Sequence, residues 1–180
     1  MQAIDGIFYV IILIMSVVIH EFAHGYVAYR LGDNTARDSG RLTLNPLKHL
    51  DPFGSVILPL LLILMKAGFV IGWARPVPYN PNNLRNGRRG EMLVSVAGIL
   101  ANLAVAILFG LLMRYATLFG IPAFNPDPLL MHPFYNITSI IVLTNLVLAL
   151  FNIIPIPPLD GSKILFSLLP PQLRHIQNFL

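Results

Sequence analysis

The sequence predicts an all-α integral membrane protein, and three observations carry that prediction. Of its 180 residues, 56% are hydrophobic and only 11% charged, less than half of the roughly 25% charged share of a soluble domain. Four apolar stretches reach the length scale of a bilayer crossing. The connections between them concentrate turn chemistry: "GDNTARDSG", "NPNNLRNGRRG" and "IPAFNPDP". The expected architecture is three transmembrane helices, a re-entrant or interfacial apolar segment, a short C-terminal helix and a minor β-strand or hairpin. The apolar stretches leave too few residues for a separate soluble unit, so residues 1–180 read as a single membrane-embedded domain.

The first stretch runs from about 7 to 31, with Gly32 as its stop. The N-terminus "MQAIDGIFYV" has neither a basic n-region nor a cleavage site, so this stretch is expected to stay as a span. The second, 53–73, is interrupted by Pro59, Lys66 and Gly68. The third runs from about 92 to 117 and the fourth from about 134 to 154. A cluster of prolines, Pro155, Pro157 and Pro158, then leads into a short apolar helix, "LDGSKILFSLL". No internal repeat or low-complexity tract interrupts this order.

Basic residues predict the topology. Arg30, Arg37, Arg41 and Lys48 fall in 29–52, and Arg75, Arg85, Arg88 and Arg89 fall in 74–91. The connection 118–133 has no Lys or Arg. The positive-inside rule then makes the first two loops cytoplasmic and the third external. Two successive cytoplasmic loops cannot flank a full crossing, so 53–73 is expected to re-enter or to lie in the interface, buried in protein where its backbone is irregular. The alternative is a fourth span that violates the rule once. The net charge of +4 reports orientation in a lipid bilayer rather than affinity for nucleic acid. No cysteine is present, which excludes disulfides and thiolate metal sites.

His20, Glu21 and His24 make the spacing HExxH near the end of the first apolar stretch. On a helix, positions i and i+4 share a face, so both imidazoles can bind one metal ion with the glutamate beside it. With five histidines and two glutamates in the chain, this spacing arises by chance in about one such sequence in 650. The competing explanation is a pair of packed, hydrogen-bonded interfacial histidines. A catalytic zinc takes three protein ligands and keeps one position open, so a third ligand is needed from His or a carboxylate. His49, His132 and His175 lie in polar segments and are expected to be solvated. Asp160, in "NIIPIPPLDGSKIL", follows rigid prolines at a helix start, where an anion is favoured; a plain helix cap is the alternative. Topology brings it to the same side as HEFAH. His20 lies about 14 residues into its helix, roughly 20 Å along a 30 Å hydrocarbon core, so water must arrive through a polar channel. Ser16, His20 and His24 form one stripe, Ser95, Gly98 and Asn102 another, and Asn145 and Asn152 share a face; these side chains are candidates for lining it.

Three ordered motifs, "HEFAH", "AGILAN" and "NIIPIPPLDG", give the chain a resemblance to the site-2 protease family of intramembrane zinc metalloproteases over nearly its whole length. The resemblance implies one zinc ion per chain held by His20, His24 and Asp160, with Glu21 as general base. It further implies that Asn152 holds the substrate backbone and that Asn102 has a similar substrate-side or structural role. It points to a small family member of the prokaryotic cell membrane, with membrane-spanning proteins or peptides as substrates; the charge topology above puts the site towards the cytoplasm. Its loops "GRLTLNPLKHLDPFG" and "GWARPVPYNP" also look like those of small members. Two features depart from the family. Ile99 stands where a proline is common, and the chain stops at "PPQLRHIQNFL", where many members continue into another span. An unwound substrate segment could pair with a strand edge, for which 40–44 ("GRLTL") and 75–80 ("RPVPYN") are candidates. A membrane metal-ion transporter or metal-handling protein would use the same His/Asp cluster; inverted repeats and His-rich loops, which would favour it, are absent from the sequence.

Overall fold

Six α-helices organise the computed structural model, which describes residues 3–65, 74–125 and 132–170. They are α1 (Ala3–Arg30), α2 (Thr35–Asp38), α3 (Leu58–Leu64), α4 (Arg88–Arg114), α5 (Pro133–Ile153) and α6 (Asp160–Leu168). Three of them, α1 from Phe8, α4 and α5, are long and apolar enough to cross a membrane, and they match the three expected spans. Two of them start or stop on chemistry visible in the chain. Gly32 at φ +106° follows the end of α1, where the Asp33 N–H closes back on the Ala28 carbonyl at 3.0 Å. Pro133 opens α5 behind His132, whose Nδ1 accepts the Phe134 N–H.

α4 is the central helix and packs against α1, α5 and α6. The bundle turns its polar side inward. Ser16, His20, His24, Ser95, Asn102, Thr144, Asn145 and Asp160 are buried, whereas Leu100, Ile107, Leu108, Leu143, Val147 and Leu150 are exposed. Water would penalise that surface; lipid does not, and a buried polar side chain in such a bundle needs an internal partner.

The two basic loops are joined at one end of the bundle. Buried Asp33 accepts from Thr35 Oγ1 (2.6 Å), Thr35 N (3.2 Å), Asn80 N (2.8 Å) and Asn83 Nδ2 (2.9 Å). The Arg75 N–H donates to the His49 carbonyl at 2.8 Å, and Leu50 and Ala74 form an antiparallel bridge. The chain that leaves at Asp51 has therefore returned by Ala74. Between them lie a π-helical turn (Pro52–Ile57), capped by Asp51 Oδ1, and α3. At seven residues α3 is about 10 Å long, a third of a hydrocarbon core. The expected re-entrant segment includes residues 66–73, which lie outside the described residues.

The expected strands do not form among the described residues, where the Leu50–Ala74 bridge is the one element of β pairing. Their backbone groups are engaged elsewhere. Arg41 N and Leu42 N donate to the Ala36 carbonyl, and the Thr43 carbonyl accepts from His49 Nε2. Pro76 and Pro78 have no N–H to give, and the Val77 N–H is taken by Glu21. His49 is a second correction. It is fully buried under its loop rather than solvated. His132 is exposed as expected, and His175 lies outside the described residues.

Candidate metal centre

Helical spacing brings His20 and His24 together on the inner face of α1, with their rings edge to face at 4.5 Å. α6 supplies the third group. The turn Ile154–Leu159 reverses the chain after α5, and Asp160 is the first residue of the new helix. His20 Nε2, His24 Nε2 and Asp160 Oδ2 form a triangle with all three sides 3.0 Å. All three residues are buried, at 6%, 7% and 5% exposure.

The neighbours of this triangle set its chemistry. His24 Nδ1 donates to the Val94 carbonyl at 2.7 Å, which leaves its Nε2 as a lone pair turned inward. His20 Nδ1 lies 3.3 Å from the Asn102 side-chain amide. Gly98, between Val94 and Asn102 on α4, provides the room: a Cβ there would stand 2.5 Å from His24 Nε2 and 2.6 Å from His20 Cε1. Lys163 Nζ approaches the other oxygen, Asp160 Oδ1, at 3.6 Å and lies 5.4 Å from the centre of the Tyr79 ring. Glu21 is half-buried beside the triangle, and its Oε2 accepts the Val77 N–H at 2.8 Å. Arg41 donates to the Arg75 and Pro76 carbonyls just before that residue, at 3.5 and 3.3 Å.

This donor set fits a zinc ion. A tetrahedral zinc with bonds of about 2.0–2.1 Å has its ligand atoms about 3.3 Å apart, close to the 3.0 Å sides seen here. Two imidazole lone pairs and a carboxylate oxygen repel one another at that range unless a cation or shared protons lie between them. Two imidazoles and a carboxylate with a further position open are a ligand set that a catalytic zinc takes.

The structure thus gathers the expected trio, His20, His24 and Asp160, and leaves Glu21 next to it. Asn102 is brought in as well, fully buried. Asn152 is half-buried with its Nδ2 bonded to the Leu148 carbonyl at 2.9 Å. Of the residues expected to line a channel, Ser16, Ser95 and Asn145 are instead packed: Asn145 donates to Ser16 Oγ at 2.9 Å and Ser95 to the Glu91 carbonyl at 3.0 Å. Three participants escape a reading of the sequence. Val94 and Val77 act through backbone atoms, which no side-chain motif marks. Lys163 has a weak signal, its i+3 spacing from Asp160.

Comparison with known proteins gives the lineage. Residues 116–179 match the model of "Peptidase family M50", a stretch that contains Asn152 and Asp160 but not HEFAH. YwhC of Bacillus subtilis (strain 168), which bears a zinc-metalloprotease name, is 44% identical over 165 residues, covering 92% of this chain and 70% of the relative. Rip2 of Mycolicibacterium smegmatis, named likewise, is 32% identical over 94% of this chain and 61% of its own length. Rip2 of Mycobacterium tuberculosis (strain H37Rv) is 33% identical over 96% and 60%. The chain therefore spans about three-fifths of each of these two Rip2 proteins. No solved structure matches it. With both HEFAH and the Asp160 segment inside a chain of which 92% aligns to YwhC, the protein belongs to peptidase family M50, the site-2 protease family.

Proposed function

We propose that this protein is an intramembrane zinc metalloprotease that hydrolyses peptide bonds of membrane-spanning substrates. We read residues 1–180 as one membrane-embedded domain of a prokaryotic cell membrane, with its site near the cytoplasmic face. The observation that carries the reading is the convergence of His20, His24 and Asp160 on one point, their ligand atoms within 4.8 Å of one another, with Glu21 alongside. Family membership and the names of the relatives support it.

His20, His24 and Asp160 would hold the ion. When bound, zinc brings the pKa of a water towards neutrality and polarises the scissile carbonyl. The Val77 N–H fixes Oε2 of Glu21 and leaves the second carboxylate oxygen to take the water proton. Hydroxide adds to the carbonyl carbon, the C–N bond breaks, and Glu21 passes the proton to the departing amine. A substrate helix keeps its carbonyls in internal hydrogen bonds, so it must unwind before attack. Asn152, eight residues before Asp160, would hold the unwound backbone through its side-chain oxygen.

The test is purified protein with a single-span membrane substrate, the Glu21→Gln variant and a chelator arm. Glu21→Gln is expected to lower kcat by about 10²–10⁴ while zinc content per chain stays unchanged. Cleavage that survives this substitution refutes the mechanism. Zinc flux into liposomes that requires His20, without proteolysis, would replace it with transport.

A further inference from the structure

We infer that Asn102 is a positioning residue of the metal centre: its amide oxygen accepts the Nδ1–H of His20 and so aims the Nε2 lone pair at the ion. This rests on the zinc reading above and decides between the substrate-side and structural roles that the family resemblance leaves open.

A neutral imidazole carries one proton, and the nitrogen that binds metal must be the other one. His20 Nε2 is a corner of the triangle, so the proton belongs on Nδ1. A buried N–H needs an acceptor. The group facing Nδ1 is the Asn102 amide, at 3.3 Å. With the nitrogen of that amide facing the ring, Nδ1 would have to accept, and the proton would sit on Nε2, pointing at His24 and Asp160. Asn102 Oδ1 would also remain buried without a partner, as it stands here. Oxygen and nitrogen of an amide are nearly isosteric, and their assignment follows from the hydrogen-bond network. Rotating the amide by half a turn puts Oδ1 on Nδ1–H and frees Nε2 for the ion.

His24 shows the same design already complete. Its Nδ1 donates to the Val94 carbonyl, again from α4. Val94, Gly98 and Asn102 follow at i, i+4 and i+8, one stripe of that helix. The first orients one imidazole, the second leaves room for both, and the third orients the other. Asn102 has 0% exposure, which suits a partner of His20 and not a contact with substrate.

Two substitutions separate positioning from mere packing. Asn102→Leu keeps the branched shape of the side chain and removes the acceptor; Asn102→Asp keeps an acceptor and strengthens it. Zinc affinity is measured by competition with a chromophoric chelator in detergent, beside thermal unfolding of the zinc-free protein and kcat and KM on the membrane substrate. Asn102→Leu is expected to weaken zinc binding about 10–100-fold, and Asn102→Asp to bind at least as tightly as the wild type. Equal zinc affinity in wild type and Asn102→Leu overturns the assignment, as does a raised KM with unchanged affinity, the mark of a substrate contact. Should Asn102→Leu fail to fold, zinc affinity of Asn102→Asp tenfold below the wild type overturns it alone, and wild-type affinity upholds it. A His20→Ala control separates the two layers: if it binds zinc as well as the wild type, the zinc reading itself fails.

Discussion

Replacing Gly98 with alanine tests the geometry of the centre by adding one methyl group. In a helix interior Gly→Ala normally stabilises by about 0.5–1 kcal/mol, because alanine loses less backbone freedom on folding. At Gly98 the added carbon would stand 2.5 Å from His24 Nε2 and 2.6 Å from His20 Cε1 and His24 Cε1. Ordinary contact begins near 3.4 Å, so the imidazoles or α4 must give way by about 0.9 Å, and overpacking of this kind costs about 1–3 kcal/mol. His24 cannot retreat freely, since its Nδ1 is tied to the Val94 carbonyl at 2.7 Å on the same helix. The shift therefore falls on the triangle. Displacement of a reacting group by about 1 Å lowers rates by as much as 10², and zinc affinity should fall with it. Gly110 is the internal control: it lies on α4 too, and a Cβ there meets nothing within 4 Å. The assay is zinc affinity, proteolysis and unfolding midpoint for Gly98→Ala and Gly110→Ala in parallel. Gly110→Ala should be neutral or slightly stabilised, with full activity. A Gly98→Ala protein with wild-type zinc affinity and turnover would show that the imidazoles do not occupy this cradle in the working enzyme.

Two further outcomes follow from the loops around the centre. Val77→Pro deletes the donor that holds Glu21 Oε2; a hydrogen bond to a charged group contributes about 1.5 kcal/mol, so kcat should drop about tenfold while zinc content is unchanged, as read by metal analysis and saturating turnover. Asp33 ties the two basic loops together, and its carboxyl feels opposing effects: burial pushes it up, but bonds from Thr35, Asn83 and Asn80 outweigh this and hold it below the ordinary carboxylate value. A depressed folded-state value contributes stability above the unfolded value, about pH 4, and loses it as pH falls through the folded one. The unfolding midpoint of Asp33→Asn should thus lie below wild type at neutral pH and converge with it below about pH 4; a gap that stays constant with pH would assign the effect to shape alone.

Much of the centre was legible in the linear chain because it depends on contiguous spacing. The three spans follow from the length of apolar runs, and HEFAH follows from the helical repeat that puts positions 20 and 24 on one face. Asp160 was legible as a helix start after prolines, and charge asymmetry brought it to the same end. Other features were beyond that reading. The strands expected at 40–44 and 75–80 are absent because Ala36, His49 and Glu21 claim their backbone groups, a competition that is settled by neighbours distant in the chain. His49 looks solvated in a polar loop, yet the loop folds over it.

What the sequence by itself determined is the three long apolar helices, the absence of thiol ligands and the candidacy of His20, His24 and Asp160 for a metal centre. What only the tertiary structure decided is how those side chains are held. Periodicity gives the face of each helix but not which face of its neighbour it meets. The packing of α1 on α4 sets Val94, Gly98 and Asn102 against the two imidazoles, through a backbone carbonyl, a missing methyl group and a buried amide. Helical spacing puts the three on one stripe of α4, but that this stripe meets the imidazoles depends on the rotation and depth of the whole bundle.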